Sequence, residues 1–314
     1  MSTSRHRWLV VCASLLVLFT YGLVVLGSAV RANNAGLACP DWPLCFGEVV
    51  PAIDFHVAFE FGHRVVAGFV SLGFLALAIG ILRVKELRQR LGALLGIAAV
   101  VLVVQIVLGG LTVLELLAQW TVTSHLLTGN TFCLLLFLIA LRLRELDRPV
   151  VRDALAPIAK VGAAGVALVL LLQLALGGLV SSSHAGLACG TWPTCNGGSW
   201  FPFDAGHLVG LQVMHRIMAY TVFAVIAIVA LVARGRGRFG RAALVLFGLV
   251  SLQVALGVAN VLLYLPVEVT VLHSAGAAAL VLATTYLNAE AWRAPSPAAI
   301  SGAHSSVRSA QEVG

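Results

Sequence analysis

At 314 residues, with 60% hydrophobic residues, 11% charged residues and a mean hydropathy of +0.99, the chain is too apolar for one or two soluble domains. A net charge of +7 and a pI near 9.5 would suit a nucleic-acid partner only if the basic residues gathered on one surface. They fall instead in short clusters between long apolar runs, so nucleic acid is excluded and the charge reports topology in a lipid bilayer.

Runs long enough to cross about 30 Å of hydrocarbon as a helix can be followed along the chain. The first, 8–30, comes after Arg5 and Arg7 as a signal peptide would, but it stays apolar too far and lacks a convincing small-x-small cleavage site, so it reads as a retained helix. A loop at 31–57 then carries Cys39 and Cys45 around a Trp-Pro pair. The second run, 58–82, opens on EFGHR at 60–64, and the third, 92–114, contains Gln105 and ends beside Glu115. The fourth, 119–141, begins with TSHLLTG at 123–129. After the fifth run, 158–181, a second long loop at 182–206 carries Cys189 and Cys195, again around Trp-Pro. The sixth, 207–233, holds QVMHR at 212–216; the seventh, 242–264, holds Gln253; the eighth, 267–289, holds LHSAG at 272–276.

Seventeen of the twenty Lys and Arg residues belong to the N-terminus, the segments 83–90, 142–160 and 234–241, and the tail. By the positive-inside rule these face the cytoplasm, both termini included, while the loops at 31–57 and 182–206 face outward from an inner (plasma) membrane. The Ser, Ala and Pro-rich tail, 293–314, reads as disordered and cytoplasmic.

The chain repeats itself. LGSAVRANNAGLACPDWPLC at 26–45 matches LGGLVSSSHAGLACGTWPTC at 176–195 with a constant offset of 150, GHR at 62–64 answers MHR at 214–216, and a Gln-to-His spacing of twenty recurs in Gln105/His125 and Gln253/His273. Four runs per copy insert both copies in the same sense, so the expected architecture is an all-α integral membrane protein of two tandem four-helix bundles, 1–150 and 151–292, related by a pseudo-two-fold axis along the membrane normal.

Each outward loop contains a C-x₅-C pair on the oxidising side of the membrane, so Cys39–Cys45 and Cys189–Cys195 are expected as disulfides. A metal site and a redox-active dithiol are the competing readings; the first lacks further thiolates or closely spaced histidines. Cys12 and Cys133, alone within apolar runs, read as small packing residues.

Ionisable groups within hydrocarbon are costly and mark function. His63, His125, His215 and His273 lie one to two turns into the second, fourth, sixth and eighth runs, at a common depth near the outer face. Two imidazoles from facing helices are the usual axial ligands that a bundle supplies to an iron porphyrin, which predicts one porphyrin per half. Arg64 and Arg216, next in sequence, are placed to meet porphyrin propionates or to snorkel to the interface. His6, His304, His56, His184 and His207 are terminal or in loops and read as solvated or interfacial; Glu115 and Glu268 read as interfacial.

The copies differ one turn before the first histidine of each pair, where Glu60 answers Gln212. Both share the face of their histidine. An acid there can move protons or stabilise developing positive charge, or serve as the partner of Arg64, whereas a glutamine only holds structure. Chemistry is therefore expected in the N-terminal half and an electron-carrying haem in the C-terminal half.

EFGHR, TSHLLTG, QVMHR, LHSAG and the two Trp-Pro cysteine loops together resemble the haem A synthase family over about residues 8–290. The resemblance implies haem B as cofactor on His215 and His273, haem O as substrate at His63 and His125, Glu60 as the functionally important acid, an active role for Cys39 and Cys45, and a structural one for Cys189 and Cys195. It implies oxidation of a ring methyl through a hydroxymethyl stage to a formyl group, with haem O synthase and terminal oxidase assembly factors as partners beside membrane lipid. A dihaem carrier coupled to quinol and a haem transporter are the alternatives.

Overall fold

The computed structural model describes residues 3–147, 150 and 154–293; His304 and the tail from 294 onward lie outside the described residues. Its elements are α1 (Thr3–Ala32), α2 (Phe55–Leu82), α3 (Lys85–Leu114), α4 (Gln119–Asp147), α5 (Pro157–Ser182), α6 (His207–Val232), α7 (Gly237–Leu262) and α8 (Val267–Trp292), with one 3₁₀ turn at Ala185–Leu187. All eight helices are long and apolar enough to cross a membrane. Large side chains such as Leu18, Phe69, Leu72, Val100 and Leu231 remain exposed on their outer faces, as lipid contact requires.

Several helices outrun the apolar stretch that signalled them. α3 starts at Lys85 and α4 continues to Asp147, because backbone hydrogen bonds propagate a helix through polar turns once it is nucleated. At the start of α3, Glu86 and Arg90 pair at 3.6 Å on an exposed face. α2 has a side-chain cap, Asp54 accepting from the Val57 N–H at 2.9 Å. α5 opens on Pro157 and α8 follows Pro266, positions where a missing N–H costs nothing.

In the first half α1 packs on α2 and α4, and α3 on α2 and α4; α5 to α8 repeat that pattern of neighbours. The halves meet where α1 touches α8 and α4 touches α5 and α8. Gly178 of α5 gives close approach there, since a Cβ would lie 3.0 Å from Thr123 and 3.1 Å from Leu126. The Tyr21 hydroxyl donates to the Ala275 carbonyl at 3.0 Å, and Thr123 and Ser182 hydroxyls meet at 3.3 Å. At the end carrying the basic clusters, Arg293 forms an ion pair with Glu145 of α4, so the chain is still anchored one residue past Trp292.

Each half has its own apolar core toward that basic end: Leu16, Phe74, Ile81, Leu91, Phe132 and Ile139 in the first, Val166, Val222, Ile226, Leu246, Leu280 and Leu287 in the second. Toward the other end, small clusters surround the cystines, with Val57 on Cys39 and Cys45 and Val213 on Cys189 and Cys195. The α3–α4 and α7–α8 turns both bring two consecutive large residues to positive φ, Leu116 and Leu117 in one, Tyr264 and Leu265 in the other. Such backbone costs about 1 kcal/mol per residue. It is held by Leu117 N–H to Thr112 and Leu265 N–H to Asn260, and it turns Leu117 and Leu265 onto Gly36 and Gly186 of the cystine loops.

Candidate functional site

Each of the four intramembrane histidines lies within the first three turns of a helix that starts at the cystine end. His63 of α2 and His125 of α4 face each other with ring centroids 6.5 Å apart and planes inclined at 59°. His215 of α6 and His273 of α8 occupy the corresponding places in their helices, the ninth and seventh residues, as His63 and His125 do in α2 and α4. All four are half-buried.

A glycine of the preceding helix in the chain backs every imidazole. A Cβ on Gly27 would sit 3.1 Å from His63, on Gly109 3.1 Å from His125, on Gly177 3.2 Å from His215 and on Gly257 3.1 Å from His273. Sequence reading passed over these glycines, although Gly27 and Gly177 fall inside the repeated segment and Gly109 and Gly257 follow the repeated glutamines.

The Nδ1 atoms of His125, His215 and His273 are buried without a hydrogen-bond partner. They lie on the glycine side of each ring, 3.6 to 3.8 Å from where a Cβ on Gly109, Gly177 or Gly257 would sit. Imidazole nitrogens bind metals at about 2 Å, so one iron held between two rings spaces their centroids by about 6 Å, near what His63 and His125 show. Bare metal fits less well, because among the described residues no three or more His, Cys, Asp or Glu side chains cluster to complete a ligand set. Imidazoles paired at that spacing, with no further ligand set for a bare ion, fit an iron porphyrin.

The flanking residues form one construction used twice. Cys39–Cys45 and Cys189–Cys195 are disulfides, and each closes a loop containing a cis Trp-Pro bond, at Pro43 and at Pro193. Arg64 donates into the first loop, to the carbonyls of Asp41 at 2.8 Å, Leu44 at 2.6 Å and Cys39 at 3.3 Å. Arg216 does the same in the second, to Cys189 at 2.7 Å and Thr194 at 3.5 Å. Both guanidinium groups thus hold loop backbone, a role that sequence spacing does not reveal.

Glu60 and Gln212 are both buried, at 5% exposure, yet their surroundings differ. Glu60 accepts from the Cys39 N–H at 2.9 Å through one carboxylate oxygen and pairs with Arg64 at 2.6 Å through the other. Gln212 donates to the Gly186 carbonyl at 3.2 Å, and its own carbonyl oxygen is buried without a partner. A second difference lies on α3, where Gly110 lets Trp42 settle so closely that a Cβ would come within 3.0 Å of its ring. Val258 stands at that place in the repeat.

Among the other histidines, His56, His184 and His207 are exposed as expected. His184 reaches across the halves to Arg31 at 3.1 Å. His6 departs from expectation: it is buried and its Nε2 bonds the Leu143 carbonyl at 2.8 Å, because α1 begins early enough to pack its first turn on α4. Cys133 is buried and Cys12 is exposed on the outer face of α1. Glu115 and Glu268 are exposed.

Eight helices long and apolar enough to cross a membrane, with imidazoles brought together among them, define a multi-pass membrane protein. The family described as cytochrome oxidase assembly protein matches residues 6–60 and 52–285, and the chain belongs to it. It is similar to proteins named heme A synthase: 32% identical over 320 residues to that of Shewanella oneidensis, covering 88% of this chain and 94% of the relative. It is 30% identical to that of Methylobacterium radiotolerans, over 91% of this chain and 89% of the relative. Against that of Caulobacter sp. strain K31 the identity is 30%, over 92% and 96%.

Proposed function

We infer that this chain is a haem A synthase, a membrane oxidoreductase that converts a ring methyl of haem O to a formyl group and so supplies haem A to terminal oxidases. The single observation that carries the reading is the doubled imidazole pair with an acid beside only one copy, Glu60 against Gln212, in a chain that aligns nearly end to end with relatives of that name.

Haem O is the substrate of the N-terminal half, 1–150, with His63 and His125 as its iron ligands. Haem B is the resident group of the C-terminal half, 151–292, on His215 and His273. When bound there it supplies a one-electron carrier for an oxidation that must remove electrons from the substrate. The two halves are tandem bundles related by a pseudo-two-fold axis along the membrane normal, with cytoplasmic termini and cystine loops facing outward from the inner membrane.

The chain's own residues have distinct tasks. Glu60 lies one turn from His63, where a carboxylate can accept a proton from the reacting edge, and its bonds to Arg64 and the Cys39 N–H fix its position. The wall glycines let each imidazole lie directly against the neighbouring helix, where a Cβ would press on the ring. Arg64 and Arg216, at the outer edge, remain the candidates for propionate contact once haem is bound, in exchange for loop carbonyls. Haem O synthase, oxidase assembly factors and membrane lipid are the partners this role requires.

Production of the protein alongside a supply of haem O tests the reading. A formyl porphyrin, recognised by mass and a shifted pyridine haemochrome spectrum, is expected. Unmodified haem O bound to active, folded protein would favour a dihaem electron carrier linked to quinol, and purified protein without stoichiometric haem would favour a transporter.

A further inference from the structure

The repeat also breaks three residues after the second histidine of each pair: Thr128 in the first half, Gly276 in the other. The consequence falls on the repeated glutamines. Gln105 of α3 is held at both ends of its amide. Its oxygen accepts from the Thr128 hydroxyl, and its nitrogen lies 3.3 Å from Nε2 of His125, in a slot that Gly129 leaves open. With either face of the amide turned to the ring, the Nε2 edge of His125 is occupied.

Gln253 has no hydroxyl to hold it. It folds over Gly276, where a Cβ would overlap its oxygen, and donates to the backbone carbonyl of His273 at 2.9 Å; its own oxygen is buried and unpartnered. Gln173 of α5 approaches His215 Nε2 at 3.5 Å, but its oxygen also lacks a partner, so nothing orients that amide. Leu23 stands in its place in the first half.

We propose that Gln105, oriented by Thr128, is a positioning residue that holds the His125 imidazole in place of iron whenever the substrate site is empty, so that this half exchanges its haem while the other keeps its own. The inference rests on the assignment of haem O to His63 and His125. A site that must release product each turnover gains from an internal partner competing for a ligand nitrogen, and a site for a resident group does not. One net hydrogen bond to a buried partner corresponds to about a fivefold change in affinity.

The test uses the full-length protein with its resident haem in place, loaded with haem B as a probe of the second site. Release of the second haem is followed as transfer to excess apomyoglobin, and the site is identified by loss of second uptake in His63→Ala. Gln105→Leu and Thr128→Val are expected to slow release roughly three- to tenfold. Thr128→Ser, which restores the hydroxyl, is expected to return the native rate, and the resident haem spectrum is expected to stay unchanged throughout. Release that is unaltered or faster in both Gln105→Leu and Thr128→Val would overturn the proposal. Failure of the unsubstituted protein to take up any second haem would overturn the site assignment itself, and the proposal with it.

Discussion

Glu60 accepts a hydrogen bond from the backbone N–H of Cys39 at 2.9 Å, which ties the acid beside His63 to the loop closed by the Cys39–Cys45 disulfide. Arg64 completes the link, spanning the other carboxylate oxygen and three loop carbonyls. The loop therefore positions the carboxylate as well as covering the site. In the second half Arg216 still holds the loop, but Gln212 carries no charge to be positioned.

Substituting Glu60 by Gln keeps an acceptor for the Cys39 N–H while removing the carboxylate proposed to accept a proton. The expected result is a folded protein with its resident haem spectrum intact and conversion of haem O reduced by about 10²-fold or more, read as haem A extracted per protein. Glu60→Ala also removes the charge partner of the part-buried Arg64 and strands a loop N–H, and a loss of about 2 kcal/mol in stability is expected beside the lost activity.

The two cystines predict different defects. Cys39→Ser with Cys45→Ser loosens the loop that orients Glu60, so conversion falls while the C-terminal haem remains. Cys189→Ser with Cys195→Ser leaves Glu60 untouched and lowers stability by about 2 kcal/mol, the worth of closing so short a loop. Paired measurements of haem A yield and thermal loss of the resident haem band separate the cases; equal effects of both substitutions on yield alone would contradict the asymmetry.

Alanine at the four wall glycines improves helix propensity by up to about 1 kcal/mol yet presses a methyl onto an imidazole. Gly177→Ala and Gly257→Ala are expected to weaken or shift the resident haem spectrum without unfolding the protein, and Gly27→Ala and Gly109→Ala to lower haem O conversion while leaving that spectrum alone. Gly22→Ala and Gly68→Ala, which meet nothing within 4 Å, serve as controls and should behave as the native protein.

Much of this architecture was legible in the residues. Long apolar runs located all eight helices, since crossing hydrocarbon constrains length and composition together. The offset of 150 flagged the equivalent cystines, and the shared HR and Gln-to-His spacings flagged the equivalent histidines. What remained hidden depends on neighbours in space. That Arg64 and Arg216 grip loop carbonyls is set by how each loop folds back over its helix, and no spacing encodes it. His6 looked terminal because an apolar window cannot see a first turn packed on α4. Gln105 was visible as a repeated residue, but its contrast with Gln253 emerged only once Thr128 and Gly276 were seen beneath the two amides.

Central to the proposed function are two imidazole pairs that serve haems of different fate. The most direct measurement is the low-spin absorption and extracted pigment of the purified protein with each histidine changed to Ala in turn. His215→Ala and His273→Ala are expected to abolish the resident haem B band, and His63→Ala and His125→Ala to retain it while yielding no haem A. A resident band that survives His215→Ala and His273→Ala but disappears with His63→Ala or His125→Ala would contradict the assignment of the halves.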